Sequence, residues 1–487
     1  MIRQVFTSAV LILTSVFLAS CSGVSGGLCT LNCGGGDATV SFVLTATPPP
    51  PSSQLSIQAF TATITGITLT PVIGAPVNIA LNSTTYIAEF SRVTSDSTLL
   101  AAHISVPHGS YTQMTVTFSA PQVTFCVQAN PGVPGCAAGT LTSLSGASGS
   151  ATLSAALTLT ANQQTGIVLN ASLGNTLTLA GQSVSTVNLG AANVFTASAL
   201  PRSSTQTDLV SGQLSHVDDV MGLVTNVGSS TVTVQTSTRG SITATANSST
   251  QYSTTCSTQS FACVQLNSVA IVDAVLNADG TFTLVFYRPL FTSSVDIIEG
   301  VVTDVPNSLT NQFTVVATDS VFAGSGSVLN GQLNLGDKVI VTLSASPAPF
   351  VIVTKGLNIP SGSFFNNSTS ITSVLPGQTV AFPVTVFTAQ AGAVPGAAST
   401  GTLALRFTRV TGSVSTVASP TFSGTNFPPF FGLPTSPQTF QTTTGRLSLD
   451  GVSDLGSLSS GNTFSASALY LGAPANPIFV AQTVRAH

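Results

Sequence analysis

The sequence predicts an all-β protein, with an N-terminal β-sandwich followed by two or three small β-barrel modules. Residues 60–69 and 114–118 alternate apolar side chains with threonine, a period of two that places one face of a strand on a core and the other in water. Helical periodicity is nearly absent. Glycine, proline, asparagine and serine separate the short apolar segments, which is typical of sandwiches and barrels.

The N-terminal residues predict export and a lipid anchor. Arg3 precedes an apolar stretch, residues 5–18, which leads into Leu18-Ala-Ser-Cys21 in the order of a secretory signal peptide. The stretch is shorter than the roughly 20 residues that cross a bilayer, which argues against a transmembrane anchor. The pattern resembles bacterial lipoprotein signals. That resemblance implies that Cys21 is acylated, becomes the mature N-terminus and holds the chain on the membrane through its lipid.

The composition narrows the classes of function. Only 5% of residues are charged and the mean hydropathy is +0.47, yet no second long apolar run occurs, so the hydrophobicity must be spread through folded strands. Residues 97–201 carry no charged side chain, which does not fit the high net charge of ordinary disorder. A net charge of −4 leaves no basic face, and no nucleic-acid partner is expected, because such binding needs clustered Lys and Arg.

The cysteines other than Cys21 fall into close pairs, and local disulfides are the simplest pairing. Other connectivities are allowed by cysteine counting, so the pairing rests on proximity and on the oxidising compartment that the export signal implies. A metal site is the competing interpretation, but no Cys-x-x-Cys occurs and the histidines lie far away. The second pair is expected to clip a protruding loop, residues 128–135. The expected disulfides are Cys29–Cys33, Cys126–Cys136 and Cys256–Cys263.

Length and Gly/Pro punctuation predict several domains. The expected segments are a lipoprotein signal peptide and lipobox (1–21), a Gly/Ser/Cys-rich tether (22–37), a β-sandwich (38–207), two small β-barrel modules (208–295 and 296–358) and one or more C-terminal β modules (359–487).

Two short motifs repeat in the C-terminal half. In the first, an apolar residue, two others, Gly, two others and Val or Phe follow one another at residues 333–339, 374–380 and 458–464, with a weaker copy at 266–272. The second, Gly-x-Val-x-x-Val, begins predicted strands at Gly222, Gly300 and Gly412. Glycine before a strand suits a tight turn or a bend at a barrel corner.

The lipobox, residues 60–69, the turn Val106-Pro-His-Gly-Ser-Tyr111 and residues 114–118 resemble the N-terminal domain of a family of uncharacterised bacterial lipoproteins. The resemblance implies a prealbumin-like β-sandwich of unknown function. The repeats from about residue 222 onward are similar to small β-barrel modules of unknown function in exported proteins. The chain departs from the family in having very few acidic residues. The resemblance implies architecture and location, and it brings no established activity.

Few residues could carry catalysis, and each favours a structural interpretation. Ser25 lies in a Gly-x-Ser-x-Gly pattern, but a nucleophile elbow needs a strand-to-helix turn, and this segment is tether. His103 and His108 have no carboxylate nearby in sequence, which an acid/base role would need, so we expect a strand and a turn residue. Neither Lys338 nor Lys355 fits a phosphate-binding loop. The sequence therefore predicts no catalytic residue, no cofactor and no metal site.

The densest titratable cluster is His216 with Asp218 and Asp219. A solvated linker is the favoured interpretation and a weak cation site the alternative. Replacing all three is expected to leave folding nearly unchanged, because surface substitutions usually cost within about 0.5 kcal/mol. Residues 277–280 and 450–451 contain Asp-Gly and are expected to be hairpin turns.

Residues 426–432, Asn-Phe-Pro-Pro-Phe-Phe-Gly, cannot form a regular strand because proline lacks the N–H donor. The favoured interpretation is a plug over a barrel end, and the alternative is an exposed apolar contact patch. The chain has 0 Trp and 5 Tyr, which weakens a sugar-binding interpretation, because such surfaces usually present an aromatic ring with a polar handle.

Together these observations predict a non-enzymatic, lipid-anchored cell-envelope lipoprotein that acts as a structural, adhesive or assembly component. An envelope protein or a glycan is the expected partner. Ser22 rather than Asp follows the acylated cysteine, which by resemblance to envelopes with two membranes indicates the outer membrane. The alternative is a glycan- or ligand-binding surface lipoprotein of an uptake or attachment system. A hydrolase would require acid and base groups that converge from distant strands.

Overall fold

The computed structural model describes residues 36–53, 55–84, 86–127, 133–136, 141–180, 183–202, 216–304, 306–360, 365–442, 455–472 and 476–487. Cys21, Ser25, the pair Cys29–Cys33 and residues 450–451 lie outside these ranges. Residues 37–487 form one compact unit. Its regular structure is almost entirely β, which confirms the predicted fold class, and the single α-helix among the described residues, α1, has 4 residues.

The N-terminal part is a β-sandwich, named here the sandwich (residues 38–202). One sheet has the order β12-β9-β1-β5, and the other has the order β3-β2-β6-β7 with β4 added to β2 and β8 to β6. The apolar faces of both sheets meet in one core that includes Phe42, Phe60, Met114 and Leu169. The elements are β1 (Ala38–Thr47), β2 (Ser56–Pro71), β3 (Val77–Ile79), β4 (Tyr86–Glu89), β5 (Thr98–Val106), β6 (Gly109–Cys126), β7 (Leu141–Ser145), β8 (Gly149–Leu159), β9 (Gln164–Ser172), α1 (Leu173–Thr176), β10 (Leu177–Ala180), β11 (Ser183–Val187) and β12 (Phe195–Arg202).

Module 1 (residues 216–291) follows as a ring of strands. β13 pairs with β14, β14 with β15, β15 with β18, β18 with β17, and β17 with β13. The pairing of β15 with β18 is parallel and the others are antiparallel. Such closure removes exposed sheet edges, which matters in a chain with few charges to protect them. The strands are β13 (His216–Val227), β14 (Thr231–Gln235), β15 (Ser241–Thr245), β16 (Gln251–Tyr252), β17 (Val269–Leu276) and β18 (Phe282–Phe291).

Module 2 (residues 296–406) is an eight-stranded sheet with the order β22-β26-β23-β19-β20-β21-β25-β24. β21 runs parallel to β25 and β22 runs parallel to β26. β25 pairs with β21, and β26, which follows β25 in the chain, pairs with β23. The sheet continues across position 358/359, the expected boundary between two modules. The strands are β19 (Asp296–Val302), β20 (Gln312–Val321), β21 (Lys338–Leu343), β22 (Val351–Ile352), β23 (Thr379–Val384), β24 (Phe387–Thr388), β25 (Gly396–Thr400) and β26 (Ala404–Arg406).

Module 3 (residues 408–486) is a closed barrel with the order β27-β28-β29-β31-β30. Stacked and edge-to-face phenylalanine rings fill it, with Phe440 lying 4.8 Å from Phe422 and 4.7 Å from Phe479 between ring centroids. Strand order and the parallel pair β29–β31 repeat the ring of module 1, so the two modules share one topology. The strands are β27 (Thr408–Ala418), β28 (Thr421–Thr425), β29 (Gln438–Thr442), β30 (Thr463–Tyr470) and β31 (Phe479–Ala486).

Each copy of the second motif contacts one copy of the first, whereas the remaining copy of the first, residues 333–339, contacts Ala317 through Gly336 N–H at 2.7 Å. In module 2, Val302 N–H donates to Gln378 O at 2.8 Å and Gly377 N–H donates to Val302 O at 2.9 Å. In module 3, Val414 exchanges the same pair of bonds with Asn462 and Gly461, and in module 1 Val224 does so with Ser268 and Asn267. The weaker copy is therefore displaced by two residues from its predicted alignment, because Asn267, at φ 61°, fills the place of the glycine.

The glycine that opens the second motif is required by the close approach of a neighbouring strand. A Cβ on Gly300 would lie 2.6 Å from Val316 O, and one on Gly412 would lie 2.7 Å from Thr425 O. Real Cβ atoms do not approach a backbone oxygen so closely. Gly300 and Gly412 lie within β19 and β27 rather than before a strand, so the close approach of a neighbouring strand, and not a preceding turn, requires glycine there.

Candidate functional site: buried charges and a pocket between the modules

The main polar feature is a buried set of ion pairs where the sandwich and the three modules meet, named here the ion-pair network. Charged side chains are rarely buried, and those that are buried are paired. This chain has only 11 Lys and Arg residues, and the network contains several of them. Arg406 is 1%, Asp219 3% and Asp319 1% exposed. The members are Arg92 and Asp96 of the sandwich, Asp218, Asp219, Arg239 and Asp273 of module 1, Glu299, Asp319, Lys355 and Arg406 of module 2, and Arg409 of module 3.

Arg92 is the sandwich's cation in this network. It lies in a short 3-10 helix, Arg92–Thr94, directly after β4. Glu89 fixes that turn, because its carboxylate accepts hydrogen bonds from Phe60 N at 2.8 Å, Ser91 Oγ at 2.6 Å and Arg92 N at 2.7 Å. Burial raises the pKa of Glu89, and these hydrogen bonds oppose the rise. The backbone bonds to Glu89 therefore aim the Arg92 side chain away from the sandwich and into module 2.

Arg92 makes a like-charge pair in module 2 tolerable. Glu299 on β19 and Asp319 on β20 are cross-strand partners, and like charges placed opposite each other destabilise a sheet. Arg92 Nη1 lies 3.1 Å from Asp319 Oδ2 and 4.0 Å from Glu299 Oε1. Arg239 Nη2 from module 1 reaches the same Asp319 oxygen at 2.7 Å. The two cations thus join three parts of the chain at one pair of carboxylates.

Arg406 at the end of β26 joins module 2 to module 1. Its Nε donates to Glu299 Oε2 at 2.7 Å and its Nη2 donates to Asp219 Oδ1 at 3.0 Å. Burial by itself would raise the pKa of Asp219, but Arg406, Lys355 and Arg92 hold that pKa well below its ordinary value. Asp219 is therefore a fixed anion, and both contacts of Arg406 are charge-assisted hydrogen bonds.

Lys355 forms a second centre beside Asp219. Its ammonium is fully buried, lies 2.9 Å from Asp273 Oδ1 and is hydrogen-bonded to Asp218 Oδ1. Asp218 and Asp219 occupy a bulge of β13 opposite β17, between the paired residues 217 and 220. Bulges redirect side chains and are enriched beside functional sites. Because of this bulge, the Asp218 side chain contacts Lys355 and the Asp219 side chain contacts Arg406.

Module 3 is tied to the sandwich by the same type of contact. Arg409 Nη2 donates to Asp96 Oδ2, and Thr483 Oγ1 donates to Asp96 Oδ1 at 3.2 Å. Arg485 Nη1 donates to Val93 O at 3.1 Å. Buried ion pairs gain little over apolar packing, but loss of one partner usually costs about 3–5 kcal/mol. The network therefore selects one arrangement of the modules more than it adds stability.

A pocket of about 100 Å³ lies beside the network, between the sandwich, module 2 and module 3. This inter-module pocket has an apolar side made by prolines 48–51 and by Phe407, Phe430 and Phe431. Its polar side includes Glu89, Arg92 and Arg409, whose charges are already used in the contacts above. The arrangement suits a small neutral ligand better than an ionic one, because an added ion would meet charges that are already compensated.

The aromatic segment is a plug. Phe430 is 2% and Phe431 5% exposed, so the interpretation as an exposed contact patch is wrong. The two rings pack in the cluster that fills module 3 and includes the disulfide Cys126–Cys136 of the sandwich. The plug therefore lies where three parts of the chain meet.

The disulfides Cys126–Cys136 and Cys256–Cys263 are both formed in the structure. Of the loop that the first disulfide was expected to clip, the structure describes residues 133–135. Gly135 N–H donates to Phe430 O at 2.7 Å and Cys136 N–H donates to Thr303 O at 2.5 Å, so the described end of that loop is docked against modules 2 and 3. The expectation of a protruding loop is wrong for Gly135 and Cys136, because their backbone N–H groups find partners in the neighbouring modules, whereas Val133 is 56% exposed.

The structure agrees with some of the predicted roles of the candidate site residues and contradicts others. The solvated-linker interpretation is wrong for Asp218 and Asp219, which are ion-paired inside the network; His216 begins β13, and its side chain is outside the description. His103 lies in β5 and His108 in the turn before β6, as predicted. The expected turn at residues 277–280 is confirmed, since Gly280 has φ 86° and Asp279 accepts a hydrogen bond from Thr281 N.

Sequence reasoning missed Arg92, Glu299, Asp319 and Arg406. A signal for them was present, because β19 reads Asp-Ile-Ile-Glu-Gly-Val-Val and Arg406 follows Leu-Ala-Leu. A single charge within an apolar strand is rarely buried without a partner. The partners were hidden, since they lie more than a hundred residues apart in several pairs.

Comparison with known proteins adds no assignment. No protein-family model matches the chain, and no curated protein matches it. Among the described ranges, no group of three or more His, Cys, Asp or Glu side chains has an arrangement that could hold a metal ion. Within the same ranges, no helix has the length and hydrophobicity needed to cross a membrane.

Proposed function

We propose that this chain is an exported, lipid-anchored cell-envelope lipoprotein without enzymatic activity, which serves as a structural, adhesive or assembly component. The observation that carries the proposal is the ion-pair network. The few acidic and basic groups that could perform acid/base chemistry are largely engaged in fixing four parts of the chain against one another. A fixed array of barrels is what a protein needs if it is to hold or space other envelope components.

The signal sequence supports the location. The order of Arg3, an apolar stretch and Leu18-Ala-Ser-Cys21 is that of an export signal with a lipidation site. Several acyl chains hold a protein firmly on a bilayer, whereas a single one does not. The Cys126–Cys136 and Cys256–Cys263 disulfides fit an oxidising compartment outside the cytoplasm. The outer membrane, and an envelope protein or glycan as partner, remain part of this proposal.

The proposal is tested by expressing two variants in a deletion strain. Cys21→Ala should remain an unprocessed precursor and lose the attachment or envelope phenotype, because the anchor is gone. Asp319→Asn should be processed and membrane-bound but lose the phenotype, because the modules no longer hold their arrangement. Processing of Cys21→Ala at the same site with undiminished membrane attachment would show that the anchor is wrong. If Asp319→Asn kept the full phenotype although its modules had separated, the fixed arrangement of the modules would not be what the function requires.

The inter-module pocket favours a second candidate, a glycan- or ligand-binding surface lipoprotein of an uptake or attachment system. Its proline and phenylalanine side offers apolar contact, and its volume of about 100 Å³ is comparable to a cavity of about 150 Å³ that holds benzene. Thr411→Leu would narrow this pocket, which Thr411 lines. Ser413→Leu on the same strand is the matched control. Binding of a neutral ring compound that Thr411→Leu abolishes and Ser413→Leu retains would favour this candidate.

A further inference from the structure

Lys355, Asp218 and Asp273 form a largely buried group of one amine and two carboxylates. Lys355 is 0% exposed and Asp273 is 0% exposed. The ammonium contacts one oxygen of each carboxylate at the same time, Asp273 Oδ1 at 2.9 Å and Asp218 Oδ1 more closely. A buried primary amine is therefore held between oxygens of two carboxylates, one of which, Asp218, also has a carboxyl carbon within reach of a small shift of the amine.

The backbone is specialised on both sides of this contact. Lys355 has φ 50° and Asp219, which follows Asp218, has φ 54°, a left-handed conformation that non-glycine residues rarely adopt. Asp218 lies in the bulge of β13, and Gln482 Nε2 donates to its Oδ2 at 2.6 Å. Asp219 N–H donates to Asp273 Oδ1 at 2.7 Å. Three elements thus fix the amine and both carboxylates in place.

We propose that Lys355 and Asp218 join covalently, through a spontaneous isopeptide bond that cross-links module 1 to module 2. The ion pair contains everything the reaction needs. Burial disfavours separated charges, so a proton transfer from the ammonium through Asp273 to Asp218 costs less here than in water. It leaves a neutral amine beside a neutral carboxylic acid.

The atoms and charges balance without any other reactant. The lone pair of Lys355 Nζ forms a bond to Asp218 Cγ, and the Cγ–OH bond breaks. Asp273 accepts the second proton from Nζ and delivers it to the departing hydroxyl, which leaves as water. The products are an amide, one water molecule and an unchanged Asp273 carboxylate. Asp218 is the acceptor and Asp273 the proton carrier, because the Asp218 side chain is 13% exposed, which gives the water a way out, whereas Asp273 is fully enclosed.

This inference goes beyond the proposed function and does not depend on where the chain is anchored. It would make the contact between two modules irreversible, which an ion pair does not. Failure of the cross-link would leave membrane fractionation of Cys21→Ala unaffected, so the two proposals fail separately.

The test is a peptide map of the full mature chain, purified from the envelope, reduced, denatured and digested with trypsin. An amide on Lys355 blocks cleavage there. We expect a branched product in which peptide 203–239, which holds Asp218, is joined to peptide 339–406, with the mass of one water missing. The matched control is Lys338→Arg, which replaces the other lysine and should keep the branched product. Lys355→Arg and Asp273→Asn should abolish it.

Three results would overturn the proposal. Wild-type chain that yields separate peptides 339–355 and 356–406 carries no bond on Lys355. A missing water with normal cleavage at Lys355 would mark a cyclised aspartate elsewhere. A branched product whose bond maps to Asp273 would show that the roles of the two carboxylates are wrong. Because the wild-type map decides the outcome, the test stands even if a variant fails to fold.

Discussion

Removal of Arg406 is expected to be the most damaging single change in the ion-pair network. Arg406 is 1% exposed and donates at 2.7 Å to Glu299 and at 3.0 Å to Asp219. Arg406→Met keeps most of the apolar volume but leaves two carboxylates without their nearest cation. Loss of one partner from a buried ion pair costs about 3–5 kcal/mol. Arg92 stays 3.6 Å from Asp219 and 4.0 Å from Glu299, so we expect the lower part of that range.

The matched control is Arg239→Met, which makes the same chemical change in the same network. Arg239 is 15% exposed, and its partner Asp319 keeps Arg92 at 3.1 Å. Because Asp319 keeps Arg92 as a second cation, the loss should be clearly smaller than the about 3–5 kcal/mol typical of a buried charge left without a partner. The expected order is therefore wild type, Arg239→Met and then Arg406→Met, measured as the free energy of unfolding in urea.

Limited proteolysis should locate the damage between modules 1 and 2, because Arg406 links Asp219 to Glu299 across that contact. A double variant, Arg406→Met with Glu299→Met, should recover part of the loss, since it removes one of the stranded charges and leaves apolar side chains in its place. The reasoning would be refuted if Arg406→Met unfolded within about 0.5 kcal/mol of wild type, the range of ordinary surface substitutions. It would be equally refuted if Arg239→Met proved the more damaging change.

The remaining predictions concern other parts of the fold. Gly300→Ala should destabilise module 2 by about 1–3 kcal/mol through overpacking, because the new Cβ would meet Val316 O at 2.6 Å, whereas Gly326→Ala, with nothing within 4 Å, should be nearly neutral in the same urea titration. Burial and Arg485 lower the pKa of His487 to about 4. As the pH drops from about 6.5 to 4, the unfolded chain therefore binds a proton at His487 before the folded chain does, and the free energy of unfolding should fall. His487→Gln should remove this part of the pH dependence, measured by thermal unfolding at a series of pH values. Replacing Cys126 and Cys136 together with Ser should cost about 2–3 kcal/mol, from the entropy of a loop of about ten residues, and should also expose the docked end of the loop to hydrogen exchange.

The strands could be predicted from sequence because each depends on local pattern. Alternation in residues 114–118 places Met114, Val116 and Phe118 on the core face of β6, and all three are buried. The repeated glycine motifs were also readable, because their residues recur at a fixed spacing. What they contact was not, because the bonds between Val302 and Gly377 join residues far apart in sequence.

The ion-pair network could not be predicted because its geometry depends on module packing. Asp218-Asp219, read alone, is typical of a solvated turn, and only the bulge of β13 sends the two side chains to different partners. Lys355 lies more than a hundred residues from Asp218. The sequence signal that remains, one charge within an apolar strand, indicates burial but does not name the partner.

The rarity of charge in this chain and its concentration between the modules have a common consequence. Neutral Ser- and Thr-rich faces allow many docking arrangements of similar energy, since hydroxyl groups can satisfy one another in several registers. A buried charge allows far fewer, because any arrangement that separates Arg406 of module 2 from Asp219 of module 1 leaves a charge uncompensated. Each charged residue of the network therefore contributes less to the free energy of unfolding than to the energy difference between the native arrangement of the modules and the alternative ones. The chain thereby holds one architecture with few charged residues.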